Sequence, residues 1–164
     1  MKILGIDPGL GTMGWGVIET DGTRHRLVQY GALTTQPGQP LPQRLRAIFK
    51  GVNQLMDIYQ PDEVAFEELF FSKNITTGMA VSAARGVALV AVAEKTDNLF
   101  EYTPMQIKQA ITGHGKADKQ QVQTMVRLLL GMSETPRPDD AADALAAAIT
   151  HANCMRAGHL FKIR

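Results

Sequence analysis

The segment Gly5-Ile6-Asp7-Pro8-Gly9-Leu10-Gly11-Thr12-Met13-Gly14-Trp15-Gly16-Val17 constrains this chain more than any other. Lys2 to Ile6 is a short apolar run of the kind a buried strand makes, and it stops at a carboxylate followed by Pro-Gly. An acid at the end of a core strand is costly unless something pairs with it. Pro8 biases Asp7 toward extended geometry and presets its own φ, and Gly9 is expected to supply the positive φ of a type II turn. The strand that returns carries Gly11, Gly14 and Gly16, which weaken it unless another backbone or a ligand must come close. This glycine density points to a phosphate-bearing partner. A glycine-rich hairpin with a solvated Asp at its tip is the competing reading.

The remaining elements follow from periodicity and punctuation. Thr12–Thr20 reads as the second strand, Asp21-Gly22 as a hairpin turn and Arg24–Leu33 as the third strand. Thr34–Pro42 is a proline-rich loop, and Leu41, Leu45, Ile48, Phe49, Val52, Leu55 and Met56 recur at helical spacing and define an amphipathic helix to about Tyr59. Glu63–Glu67 is a short strand that again ends in an acid. Met79–Ala93 is a helix of small residues, either a dimer surface or buried in the monomer. Leu99–Tyr102 is a strand, and Thr103-Pro104-Met105-Gln106 combines an N-cap, Pro at N1 and a capping-box glutamine for a helix to about Ile111. Asp118 with Gln121 caps a helix to about Leu130, and the alanine-rich segment from Asp139 to about Met155 is a strong helix on propensity. The order βββαβαβααα predicts an α/β domain with a mixed sheet over residues 1–156, followed by a short basic tail, 157–164.

At 164 residues, 45% hydrophobic, the chain has enough apolar material for one real core. The single cysteine, Cys154, excludes an internal disulfide framework and fits a reducing cytoplasm. The most apolar window, Gly78–Ala93, is interrupted by Ser82 and Arg85, so a soluble protein with no membrane association is expected. A net charge of +1 does not announce a nucleic-acid binder, but Lys108, Lys116, Lys119 and Arg127 cluster against Asp118 alone. The tail adds Arg156, His159, Lys162 and Arg164. A solvated helix face is the plain alternative.

Four acids carry the chemistry. Asp140 and Asp143, three apart on the last helix, share one face. Asp139 and Asp140 suit a helix N-terminus, whereas Asp143 stands among alanines where an unpaired carboxylate is poorly solvated. Asp7 and Glu67 end two strands. If all four converge they repel unless protonated or bridged by cations, and oxygen-only ligands select Mg²⁺ or Mn²⁺. Two such ions activate a water and stabilise a leaving oxygen in phosphodiester cleavage.

Gly5-Ile6-Asp7-Pro8-Gly9 with the Gly-Trp-Gly strand, Ala65-Phe66-Glu67 with Phe70 and Lys73-Asn74 behind it, Ala84-Arg85-Gly86-Val87, Val122-Gln123-Thr124-Met125-Val126 and Asp140-Ala141-Ala142-Asp143-Ala144-Leu145 together resemble the RuvC family of Holliday-junction resolvases. The match runs from near Met1 to about His151. The resemblance implies a ribonuclease-H-like fold in which the first strand lies between the other two parallel ones. It also implies a homodimer acting on a four-way DNA junction with two Mg²⁺ or Mn²⁺ ions per site, beside branch-migration proteins of the RuvA and RuvB type. Paired nicks in strands of like polarity are the implied reaction. Metal-binding acids fall on Asp7, Glu67, Asp140 and Asp143, a base-stacking aromatic on Phe70, with Phe71 adjacent, and DNA-contacting lysines on Lys108 and Lys119. Glu68 receives no role, and His114 is a surface residue that stands near enough to Lys116 and Lys119 to assist DNA binding.

Two other classes fit part of this pattern. Gly5–Gly9 with Gly11-Thr12 also resembles the phosphate hairpin of actin-like and hexokinase-like ATPases, which need a second domain that 164 residues do not accommodate. A non-catalytic junction scaffold is the other, and it gains nothing from acids facing phosphate.

Overall fold

The computed structural model describes residues 1–69, 75–155 and 160–163. Five strands, β1 (Lys2–Asp7), β2 (Thr12–Thr20), β3 (His25–Thr34), β4 (Glu63–Glu67) and β5 (Leu99–Tyr102), and five helices, α1 (Leu41–Tyr59), α2 (Ile75–Ala93), α3 (Pro104–Thr112), α4 (Lys119–Leu129) and α5 (Asp139–Cys154), follow in the expected order βββαβαβααα. Three elements depart from the expected bounds. Pro42 belongs to the first turn of α1 and not to the loop, because a missing N–H costs nothing where no intrahelical acceptor exists. Helix α2 begins four residues before Met79, and β3 is displaced by one residue at each end.

The sheet order is β3-β2-β1-β4-β5, with β1, β2 and β3 antiparallel and β1, β4 and β5 parallel. This corrects the expected placement of the first strand between two parallel ones. The hairpin to β2 occupies one edge of β1, so β4 takes the other and β5 must add to β4. The strand between two parallel partners is β4.

Alternation along β1 divides the core. Ile3 and Gly5 face the layer of α5, α3 and α4, while Leu4 and Ile6 face α1 and α2. Ile3, Leu4 and Ile6 are fully buried, at roughly 2 kcal/mol each. That burial anchors a strand able to end in an acid.

Gly5, Gly14 and Gly16 answer to a helix, while a Cβ on Gly11 would come no closer than 3.9 Å to the Arg44 side chain. A Cβ on Gly5 would lie 1.9 Å from the carbonyl oxygen of Ala144, one on Gly14 1.9 Å from that of Asp140, and one on Gly16 2.5 Å from the Leu145 side chain. Helix α5 therefore rests with its backbone directly on β1 and β2, which only Gly permits. Gly9 likewise differs from expectation. It does not adopt positive φ, and a Cβ there would meet the Thr12 carbonyl oxygen at 2.0 Å, so close approach within the turn is what demands glycine.

Residues 160–163 return to the sheet. Glu101 N–H donates to the Phe161 carbonyl at 2.9 Å and Ile163 N–H to that of Leu99 at 2.9 Å, covering the outer edge of β5. Arg156, His159 and Arg164 lie outside the described residues. Among those described, no helix is long and apolar enough to cross a membrane. Cys154 is a free, half-buried thiol at the end of α5.

Candidate active site

Asp7 and Glu67 end neighbouring parallel strands in consecutive register with Ile6 and Phe66. Parallel neighbours lie about 4.8 Å apart, so both acids emerge side by side toward α5. Helix α5 delivers the other two. The Asp140 carbonyl sits over Gly14, and Gly14 is the cross-strand partner of Asp7. Asp7, Glu67, Asp140 and Asp143 thus stand at one end of the sheet, drawn from β1, β4 and α5, near enough for the other three charges to act on Asp7.

The two lysines enter from capped helices. Thr103 and Gln106 form a reciprocal capping box on α3, as do Asp118 and Gln121 on α4. Such boxes satisfy otherwise orphaned N–H groups and fix where each helix begins. Lys108 follows one turn into α3, and Lys119 is the first residue of α4. Lys119 Nζ donates to Asp143 Oδ2 at 3.0 Å and lies 3.6 Å from Asp139 Oδ2. Glu67, Lys108, Lys119 and Asp143 line a cavity of about 250 Å³ walled by Pro104, Ile107, Val122 and Ala146.

The electrostatics show what this assembly costs. Burial, then the charges of Glu67, Asp143 and Asp140, push the Asp7 carboxyl up to about 8, against a smaller downward pull from Lys119. Burial and then Asp143 push Glu67 up to about 7, while Lys119 and Lys108 pull it down. Asp143 is raised by burial despite its hydrogen bond to Lys119. Desolvation works to lower Lys119, but the hydrogen bond and charge of Asp143, with Asp139, leave it raised. Asp7, Glu67 and Asp143 are hard oxygen donors whose charges are undercompensated, the donor chemistry that fits a divalent cation. Among the described residues, no three His, Cys, Asp or Glu side chains are gathered closely enough to hold an ion as they stand.

Some expected site residues lie elsewhere. Phe70, its neighbour Phe71, Lys73 and Asn74 lie outside the described residues. Glu68 is exposed, its N–H donating to the Tyr102 carbonyl at 2.9 Å. His114 is exposed and borders a separate groove with Asp118 and Thr124. Asp139, which the sequence explains by its helix N-terminus alone, also pairs with Arg137 and approaches Lys119. A chain from Tyr102 through buried His151 of α5 to half-buried Glu63 had no sequence signal beyond the shared strand face of Glu63 and Glu67.

A cluster of acids at the carboxyl ends of parallel strands, rimmed by lysines, suits work on a phosphate ester. The class that this sheet and these acids define is the ribonuclease-H-like nucleases. The family model described as "Crossover junction endodeoxyribonuclease RuvC" matches residues 3–151, and the chain belongs to the RuvC family. It is 59% identical over 150 residues to the crossover junction endodeoxyribonuclease RuvC of Rubrobacter xylanophilus, covering 92% of this chain and 84% of that one. With the corresponding protein of Chloroflexus aggregans it shares 56% over 152 residues, 93% of each chain. The structure of Thermus thermophilus RuvC in complex with a Holliday junction substrate superposes with a TM-score of 0.91 at 41% identity, covering 96% of both chains. Nucleases of this family are metal-dependent.

Proposed function

We propose that this chain is a structure-specific endonuclease that resolves four-way DNA junctions in recombination and repair, placing paired symmetric nicks in strands of like polarity. The observation that carries the reading is the convergence of Asp7, Glu67, Asp140 and Asp143 beside Lys108 and Lys119. A binding scaffold would gain only repulsion from four acids facing phosphate.

In this reading Asp7, Glu67, Asp140 and Asp143 hold two Mg²⁺ ions, for which Mn²⁺ substitutes. Bound there, the metal supplies a water activated for in-line attack and a Lewis acid for the leaving oxygen. Asp7 and Glu67 are set by the sheet and Asp140 and Asp143 by α5, so rigid elements carry the ligands and the metal need only draw their side chains together. Lys119 compensates the acids while no DNA is bound and turns with Lys108 toward the scissile phosphate and its neighbours. Phe70 stacks on an unpaired base near the junction centre, a contact worth about 1–3 kcal/mol.

The protein acts as a homodimer that presents two such sites to one junction. The outward stripe of α2 supports this face, since Met79 is 70% and Val90 56% exposed and Ser82 and Gly86 lie open between them. Branch-migration proteins of the RuvA and RuvB type are the partners in this reading.

Cleavage of a labelled synthetic four-way junction, beside linear duplex of the same sequence, with Mg²⁺, Mn²⁺ or chelator, tests the proposal. Paired, metal-dependent nicks confined to the junction are expected. Equal cutting of linear duplex, or binding without cuts under every ion, refutes it.

A further inference from the structure

Helix α5 must present Asp140 and Asp143 at one height along β4 and one rotation, yet its inner face is built largely of alanine. Ala141, Ala142, Ala144, Ala146, Ala147 and Ala148 are buried to within 1%. Leu145, seated over Gly16, and Ile149 interlock with the layers around them, but the alanine methyls between them carry no directional bond, so orientation beyond that fit falls to hydrogen bonds.

One buried group on that face bonds directionally to the sheet. The His151 ring is 1% exposed. Its Nδ1 lies 2.7 Å from the Tyr102 hydroxyl on β5, and its Nε2 2.6 Å from Glu63 Oε2 on β4. The neutral ring satisfies every partner: Tyr102 O–H donates to Nδ1, and Nε2–H donates to the Glu63 carboxylate. The ring also stacks on Phe100 at 4.2 Å between centroids. Burial holds the imidazole below its ordinary pKa, with Glu63 pulling the other way, which favours this neutral form.

The spacings on helix and strand match. Asp143, Ala147 and His151 recur every four residues and share one stripe of α5, where eight residues rise about 12 Å. Glu63 and Glu67 project from the same face of β4, where four residues span about 13 Å. When His151 meets Glu63, Asp143 is therefore delivered to the level of Glu67. Like charges meet at the catalytic end and a satisfied polar pair at the other.

We infer that Glu63, His151 and Tyr102 form a positioning clamp that sets the axial register and rotation of α5, and through it the placement of Asp140 and Asp143 against Glu67 and Asp7. The inference rests on the nuclease reading for its consequence in catalysis, but its geometric content does not. None of the three side chains needs to touch substrate.

The test uses the full-length protein and three variants. His151→Phe keeps the ring and loses both hydrogen bonds; Tyr102→Phe deletes one oxygen; His151→Gln restores a donor toward Glu63. Mn²⁺ binding without DNA, followed by electron paramagnetic resonance, is measured beside thermal unfolding and steady-state junction cleavage. Misplaced ligands typically cost about 10–100-fold in metal affinity or activity. His151→Phe is expected to weaken Mn²⁺ binding and lower kcat by factors in that range with KM unchanged, Tyr102→Phe to do so less, and His151→Gln to recover to within a few-fold. A folded His151→Phe, or Tyr102→Phe should the first not fold, that loses thermal stability yet keeps wild-type Mn²⁺ affinity and kcat overturns the clamp. Wild-type protein that binds Mn²⁺ but cuts no junction overturns the nuclease reading, while the clamp is still decided by the Mn²⁺ titration.

Discussion

Replacing Asp7 by Asn is expected to destroy cleavage and to stabilise the metal-free protein. An Asp that ionises near 3.8 in the unfolded chain and near 8 in the folded one keeps its proton in the native state across that window and loses it on unfolding. The unfolded state then binds fewer protons, so stability falls as pH rises, by up to ~1.4 kcal/mol per pH unit per group. The stability is complete below the unfolded value and declines until the folded carboxyl itself ionises near 8. Glu67, raised from 4.5 to about 7, adds a decline of the same sign. At neutral pH the Asp7 contribution is on the order of 4 kcal/mol if it acts alone, and coupling to its neighbours reduces it to roughly 2–3. For a chain of this size each kcal/mol moves the unfolding midpoint by about 2–4 °C. Asp7→Asn should therefore raise the chelator-treated Tm at pH 7.5 by roughly 5–10 °C, less whatever its buried amide leaves unbonded. Calorimetry of both proteins with chelator from pH 5 to pH 8, beside junction cleavage in Mg²⁺, measures both effects. A Tm below wild type at pH 7.5, or a wild-type stability that rises over this range, would refute the reasoning.

Three further outcomes are expected. Gly14→Ala places a methyl 1.9 Å from the Asp140 carbonyl; lifting α5 to relieve it should cost roughly 3 kcal/mol and abolish cleavage, read by urea unfolding and nicking assays. Lys119→Gln removes the hydrogen-bonding partner of Asp143 and should weaken junction binding, with the slope of log K against log salt reduced by about 0.9 for each phosphate that the lysine neutralises; an unchanged slope places Lys119 off the DNA. Asp118→Ala deletes the acceptor that caps α4 at Gln121 N–H, at about 1 kcal/mol of stability, and a midpoint unchanged in urea would show the cap to be idle.

Local physics made much of this chain readable in one dimension. The strands Thr12–Thr20, Glu63–Glu67 and Leu99–Tyr102 follow from β-rich runs bounded by turn residues, and their bounds match the structure. The capping boxes at Thr103 and Asp118 need only residues three apart, so sequence specifies them fully. Asp7, Glu67 and Asp143 stood out because each was costly where it lay, at a strand end or among alanines, and that cost is itself a local property; Asp140, at home in a first helical turn, was marked only by its spacing from Asp143. The family motifs compress the same constraints.

Pairings between distant segments were decided only by the tertiary structure. Sequence marks Gly11, Gly14 and Gly16 as places of close approach but does not say what approaches; the folded chain answers with the backbone of α5 at Gly14 and with Leu145 at Gly16, and leaves Gly11 uncrowded. The position of β4 between β1 and β5 depends on which sheet edge the hairpin leaves free. Lys119 reaches Asp143 across two helices, and His151 reaches Glu63 and Tyr102 across a helix and two strands. These residues stand far apart in sequence, so no window of local propensity contains them. They meet because burying two apolar faces of one sheet leaves α5 a single place to lie, and that place brings the acids together.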